Sequence, residues 1–145
     1  KENVLATHAR AVVNYRLLPG ETVEIVTQHM KKTMDDPRIE IKALEGFRGD
    51  PSPVSDTNSS GYRTIELSIR QAFPEAIVAP GLVLAATDSR HYIPLARNVY
   101  RFSPIRLTSE DLPRIHGNDE RIPVEDYTRV VLFYTQFIRN AGAVQ

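Results

Sequence analysis

The sequence predicts an α/β (α+β) chain built in two parts, and three patterns carry that prediction. Apolar and polar residues alternate from Leu5 to Leu17, helix-spaced apolar residues follow from Val23 to Met34, and a short alternation returns at Ile39, Ile41 and Leu44. Strand, helix and strand in that order make a β-α-β unit that needs further strands beside it.

In the first stretch, Leu5, Thr7, Ala9, Ala11, Val13, Tyr15 and Leu17 share one face, while His8, Arg10, Asn14 and Arg16 share the other. A period of two with one apolar face predicts a strand buried on one side. Pro19, Gly20 and Glu21 break it. Val23, Val26, Met30 and Met34 then recur at helical spacing, with Lys31 and Lys32 near the C-terminus, where the helix dipole favours cations. Asp35, Asp36 and Pro37 end the helix. From Glu45 to Asn58 the chain is rich in Gly, Pro, Ser and Asp and poor in apolar anchors, which marks a boundary. Two short motifs fall there, Arg48-Gly49-Asp50 and Asn58-Ser59-Ser60. Both are common by chance and neither is assigned a function.

The second part opens with a helix capped by Ser59 or Ser60, carrying Tyr62, Ile65, Ile69, Ala72 and Phe73, and stopped by Pro74. Three apolar runs, Ala76 to Ala79, Leu82 to Ala86 and Val99 to Phe102, read as short buried strands. Between the last two lies the polar stretch Thr87-Asp88-Ser89-Arg90-His91-Tyr92. At a strand end this is where α/β sheets place ligand groups, and it equally suits an Asp-Ser turn with Arg90 ion-paired at its edge. The last helix follows Pro123, with Glu125 and Asp126 in its first turn, and its Tyr127, Val130, Val131, Tyr134, Phe137 and Ile138 read as core packing.

Composition excludes several classes. Lys plus Arg equals Asp plus Glu at 18 each, so no basic face for nucleic acid is indicated. No apolar run approaches the roughly 18 residues that cross a bilayer, so no membrane contact is expected. Without cysteine there is no disulfide, thiolate metal site or cysteine nucleophile, and nothing in the sequence assigns a compartment. The first residue is lysine and the sequence enters a strand-like pattern at once, as though cut from a longer protein.

Chemistry, if present, points to His116 in Arg114-Ile115-His116-Gly117-Asn118-Asp119-Glu120-Arg121. A neutral imidazole there can hold a metal with carboxylates fixing its tautomer, or the stretch is a surface turn in which Gly117 and Asn118 supply a left-handed bend. His8, His29, His91 and His116 sit on separate elements, so no complete zinc set is visible.

Five segments in order carry a resemblance: Asn3-Val4-Leu5; Asn14 to Gly20; Ala86-Thr87-Asp88-Ser89-Arg90; Tyr100-Arg101-Phe102-Ser103-Pro104; and Ile115 to Ile122. Together they resemble the C-terminal part of the zinc-dependent aminoacylase and carboxypeptidase family, nearest to carboxypeptidase S and the N-acyl amino acid hydrolases. The resemblance implies a metallopeptidase whose catalytic domain holds two zinc ions and is interrupted by a lid domain that dimerises. Residues 1–48 would then be the later part of that lid and residues 49–145 the C-terminal part of the catalytic domain. His116 matches the family's last zinc ligand. Arg16 falls where relatives bind the substrate carboxylate, Asn3 where a lid asparagine reaches a substrate across the dimer, and Thr87 and Arg90 on a turn lining the site. His8 and His29 are expected on the lid surface, and His91 in a structural role.

The family's His-x-Asp motif, bridging aspartate, Glu-Glu pair with its general base and lid histidine are expected in sequence before Lys1, and Ala6 stands where relatives have proline. The expectation is therefore the C-terminal portion of a dizinc amidohydrolase acting on N-acyl amino acids or small peptides, as a homodimer, with no catalytic residue in this segment and no activity of the segment alone. The competing expectation is a non-catalytic dimerisation or binding module.

Overall fold

In the computed structural model, residues 5–44 and 49–143 are described. The chain divides into two units, Lys1–Pro53 and Val54–Gln145. Residue 48, the predicted end of the first part, lies outside the described residues.

Among its described residues the first unit contains one helix, α1 (Val23–Met34). Leu18, Pro19, Gly20 and Glu21 form the turn before it, with the Glu21 amide donating to the Leu18 carbonyl at 3.0 Å. Proline followed by glycine at φ 93° is the pairing a type II turn requires. Thr22 then caps the helix, its hydroxyl accepting from the Ile25 amide at 3.1 Å, and Asp50 Oδ1 accepts from the Val23 amide at 2.9 Å. The acidic residue of the Arg48-Gly49-Asp50 tripeptide thus serves a helix N-terminus, where free amides and the dipole favour a carboxylate. At the other end Asp35 adopts a left-handed conformation, φ 39° and ψ 40°, and its amide closes on the Lys31 carbonyl. The helix lies where the spacing of Val23, Val26, Met30 and Met34 predicts it, yet no residue of it is buried.

The second unit is organised by α2 (Ser60–Ala72) and α3 (Val124–Ala143), which pack on each other. Ser59 is the α2 cap, accepting from the Tyr62 amide at 3.2 Å, so the serine of Asn58-Ser59-Ser60 also has a structural duty. Among the described residues Ile69, Phe73 and Phe133 are the buried hydrophobic residues, with Ile65, Ala72, Ala76, Val78 and Phe137 against them. Phe133 is the hub. Its ring lies 4.9 Å from that of Phe102, 6.0 Å from Phe137 and 6.3 Å from Phe73, within the range where aromatic pairs attract beyond their area. Beside this core, Ser68 is fully buried. It donates to the Thr64 carbonyl at 2.7 Å and accepts from Asn140 Nδ2 at 2.8 Å, and Asn140 also donates to Gln71.

Three sequence expectations are corrected. The α/β class is overturned: among the described residues there are helices and no strand or sheet. A strand is defined by hydrogen bonds to a neighbouring strand, and alternation alone supplies none. Residues 5–17 run without strand pairing, leaving Leu5 90% exposed, Val12 67% and Val13 54%. The predicted strands 39–44, 76–79, 82–86 and 99–102 are likewise unpaired, with Ile77 94% exposed. Finally, the apolar stripe named for α3 holds only in part, with Phe137 packed against the core. Tyr127, Val131, Tyr134 and Ile138 are exposed, and the face turned to α2 carries Phe133, Phe137 and Asn140.

Candidate functional site

Two polar turns of the second unit hold the predicted site residues Thr87, Arg90 and His116. Each is built by local hydrogen bonding.

The first is anchored through residues 98–102. Ser55 Oγ accepts from the Val99 amide at 2.9 Å and donates to the Val99 carbonyl at 3.0 Å, and the Asp56 amide donates to Asn98 Oδ1 at 2.9 Å. The Tyr100 hydroxyl reaches the Asp56 carbonyl at 2.6 Å and Ser59 Oγ. An added Cβ at Gly61 would meet the Tyr100 ring at 3.3 Å, so the small residue lets that ring lie on the start of α2. Next in sequence, Arg101 donates from Nε to Ser89 Oγ at 2.6 Å and, more weakly, to Thr87 Oγ1 at 3.4 Å. Thr87 caps the short 3-10 helix Asp88–Tyr92, its hydroxyl accepting from the Ser89 amide at 3.3 Å and bonded to the Ser89 hydroxyl. Arg90 donates from Nε to His91 Nε2 at 3.2 Å.

The second turn starts from Thr108 and Asp111. The Thr108 amide and hydroxyl both donate to Asp111 Oδ2, at 2.9 and 2.7 Å, and Arg114 donates to Asp111 Oδ1 at 3.0 Å. The Thr108 hydroxyl, followed by its amide, holds the Asp111 carboxyl below the ordinary aspartate value. After the 3-10 turn Leu112–Arg114, Ile115 has φ −61° and ψ 121°, His116 has φ 61°, and the Gly117 amide donates to the Arg114 carbonyl at 2.8 Å. These are the marks of a type II β-turn with histidine where glycine is usual. The left-handed residue is therefore His116, in place of the bend expected from Gly117 and Asn118. Gly117 is required for space: a Cβ there would lie 3.1 Å from two backbone carbonyl oxygens. Arg121 pairs with Asp119 at 3.1 Å behind the turn.

His116 is exposed. Its imidazole is a chemically suitable zinc donor, but zinc needs three or more protein donors. Among the described residues no group of three or more His, Cys, Asp or Glu stands together to hold a metal. His116 fits as one ligand of such a site and does not form one by itself. Arg16 lies exposed in the first unit, two residues before the Leu18 turn. Asn3 lies outside the described residues. The structure thus joins Thr87 to Ser89 and Arg101, and fixes His116 over an Asp111, Arg114 and Asp119 framework. Ser89, Arg101 and Asp111 escaped the sequence reading as supports. Thr108-Ser109-Glu110-Asp111 carries the spacing of a capping box and signals one of them.

Comparison with curated proteins places these turns in a known context. The chain is 37% identical over 140 residues to a probable carboxypeptidase S-like protein of Dictyostelium discoideum, a match spanning 97% of the chain and 27% of that relative. It is 43% identical over 142 residues to an N-fatty-acyl-amino acid synthase/hydrolase of Xenopus tropicalis, again 97% and 27%. With the Homo sapiens N-fatty-acyl-amino acid synthase/hydrolase it shares 39% over 148 residues, 100% of the chain and 29% of that protein. No protein-family profile matches the chain, and no solved structure does.

The relatives are enzymes by name, carboxypeptidases and acyl-amino acid hydrolases. The chain belongs to this family of carboxypeptidase S-like proteins and N-fatty-acyl-amino acid synthase/hydrolases, as the five resembling segments imply, and spans little more than a quarter of these relatives' length.

Proposed function

We infer that this chain is part of a zinc-dependent hydrolase that cleaves the amide bond of N-acyl amino acids or small peptides. The observation that carries the reading is the likeness across 97% of the chain to carboxypeptidase S-like and N-fatty-acyl-amino acid synthase/hydrolase proteins.

In this reading His116 is one ligand of a metal centre whose remaining ligands come from the part of the protein that this chain does not span. A left-handed histidine in a turn braced by Asp111 and Arg114 supports it, because a backbone conformation unfavourable to a residue with a Cβ is retained where its side chain is used. When bound, a pair of zinc ions supplies Lewis acidity and lowers the pKa of water. The residues here orient the substrate. Arg16 offers a planar fork of donors matched to a carboxylate, and Asn3, Thr87 and Arg90 offer hydrogen bonds to the rest of it. The segment alone is expected to be inactive. The extended stretch 5–17, with Leu5, Val12, Val13 and Tyr15 exposed, supports association of two copies through the first unit, since unpaired extended backbone invites pairing. A monodisperse monomer of the parent in sedimentation would oppose that.

The test is hydrolysis of N-acyl amino acids and dipeptides by the full-length parent, with zinc, with chelator, and with His116→Ala. Turnover that requires both metal and His116 is expected. A folded parent that binds no metal would instead support a non-catalytic dimerisation or binding module.

A further inference from the structure

The hydrogen bonds around Thr87 centre on Arg101. Arg101 can only donate, because a guanidinium has no acceptor and does not lose its proton in proteins. Its Nε–H lies 2.6 Å from Ser89 Oγ, which must therefore accept. Thr87 Oγ1 takes the same Nε–H more weakly, at 3.4 Å, and the Ser89 amide at 3.3 Å. Ser89 Oγ and Thr87 Oγ1 are bonded to each other through one hydroxyl hydrogen, which either can supply. The pair therefore has one hydroxyl hydrogen left over, and Thr87 is exposed.

The pair is held at its Arg101 end, and that end is anchored. Phe102, the next residue, lies against Phe133 at 4.9 Å, and Tyr100, the preceding one, is bonded to Asp56 and Ser59 at the start of α2. The helical pair thus sets where Arg101 stands, and successive hydrogen bonds from a cation polarise one another along the row.

We propose that Arg101 is a positioning residue that, by donating to both Ser89 and Thr87, holds this hydroxyl pair with its spare hydrogen as a donor for an acceptor oxygen of the substrate, a carboxylate or an acyl carbonyl. This rests on the reading that Thr87 lines the substrate site. Removing the guanidinium frees the Ser89 and Thr87 hydroxyls to point either way, which weakens substrate binding while leaving the reacting groups in place.

The test uses the full-length parent. KM and kcat for an N-acyl amino acid, with Kd for the same compound by calorimetry, are compared for wild type, Arg101→Gln, Arg101→Lys, Thr87→Val and the Arg101→Gln/Thr87→Val double variant. The expected result is a rise of about three- to tenfold in KM and Kd for each of Arg101→Gln and Thr87→Val, the worth of one neutral hydrogen bond, with kcat within about twofold. The double variant should be no weaker than the worse single one, because the two residues act as one row, and Arg101→Lys, which restores a cationic donor, should recover part of the loss. Effects that multiply in the double variant overturn the proposal. So does a normal KM in Arg101→Gln when Thr87→Val is impaired, which leaves Thr87 in the site without Arg101. If neither substitution changes KM or Kd, Thr87 does not line the site, and both the reading and the proposal fall. Melting temperatures within about 2 °C of wild type are expected for every variant, since the turn is exposed; a drop in KM-neutral Arg101→Gln would mark a merely structural arginine.

Discussion

Helix α1 and the α2–α3 pair are written in the same local grammar and reach different ends. All begin or end on recognisable signals: Thr22 and Ser59 cap α1 and α2 through their hydroxyls, and Lys31, Lys32 and Arg70 sit in last turns. Yet α1 buries nothing, whereas α2 and α3 bury Ser68, Ile69, Asp126 and Phe133. Caps and charges decide where a helix starts and stops, each contributing about 1 kcal/mol or less. Stability on a larger scale comes only when an apolar face meets another. The first unit is thus held by hydrogen bonds, most of them local, and the second by burial with local bonds at its edges.

The largest expected effect tests that contrast directly. Phe133→Ala removes the ring shared by Phe73, Phe102 and Phe137 and should cost about 3–5 kcal/mol. Ile25→Ala, on the half-exposed face of α1 (51% exposed), should change stability by less than about 0.5 kcal/mol. Urea unfolding followed by circular dichroism measures both, and comparable losses would break the distinction. A step down in size is Asn140→Ala, which takes away the amide that bonds the buried Ser68 and Gln71 across the helix pair. A loss of about 1 kcal/mol is expected, and none at all would mean that the pair is joined by its rings alone.

How far the sequence foretold this follows the same line. The helices are legible because their signals are local, and Ile65, Ile69, Ala72 and Phe73, named for α2 from the sequence, form its packed face. On α3 the named stripe mixes two faces, Phe137 packing as expected, because apolar residues occupy both sides. Tyr127, Val131, Tyr134 and Ile138 form as good a stripe as Val130, Phe133 and Phe137, and the polar Asp126 and Asn140 disguised the buried side. The strands failed for a different reason. The alternation from Leu5 to Leu17 is real, but a strand exists only through its neighbour, and no described segment pairs with it. Of the site, His116 and Thr87 were legible as residue types in polar turns. The conformation of His116 was not, since Gly117 beside it offered the more obvious left-handed residue, and Arg101 was hidden because its partners are 12 and 14 residues away.

The His116 turn lies in the unit with the core but is built like most of the first unit, from local bonds, and this makes it a sharper case. A left-handed residue with a Cβ is disfavoured by about 1 kcal/mol, part of which glycine recovers. His116→Gly should therefore stabilise the chain by about 0.5 kcal/mol while removing the metal-binding function proposed for the full-length parent. Gly117→Ala should do the reverse, destabilising through contact with the Arg114 and Pro113 carbonyls. Thermal unfolding of the two variants, beside zinc content of the parent, separates conformational cost from chemical use. A destabilised His116→Gly would mean that the imidazole supports the turn itself.

The smallest expected effect concerns the support beneath that turn. Hydrogen bonds from the Thr108 hydroxyl and amide hold the Asp111 carboxyl below its usual range, and Arg114 adds to this. A carboxyl whose folded value is depressed stabilises the fold fully above its unfolded value, about 3.9, and loses that contribution as pH falls through the lower folded value. The relevant window is therefore below about pH 4, so near neutrality the brace under His116 is complete and insensitive to pH. Following the Thr108 amide by NMR on acidification should give a midpoint below about 3.9, and Asp111→Asn should abolish the transition. A midpoint at or above the ordinary aspartate value would show the carboxylate to be solvated. The turn would then owe its shape to the Gly117 amide and Arg114 carbonyl alone, a bond that acid does not touch.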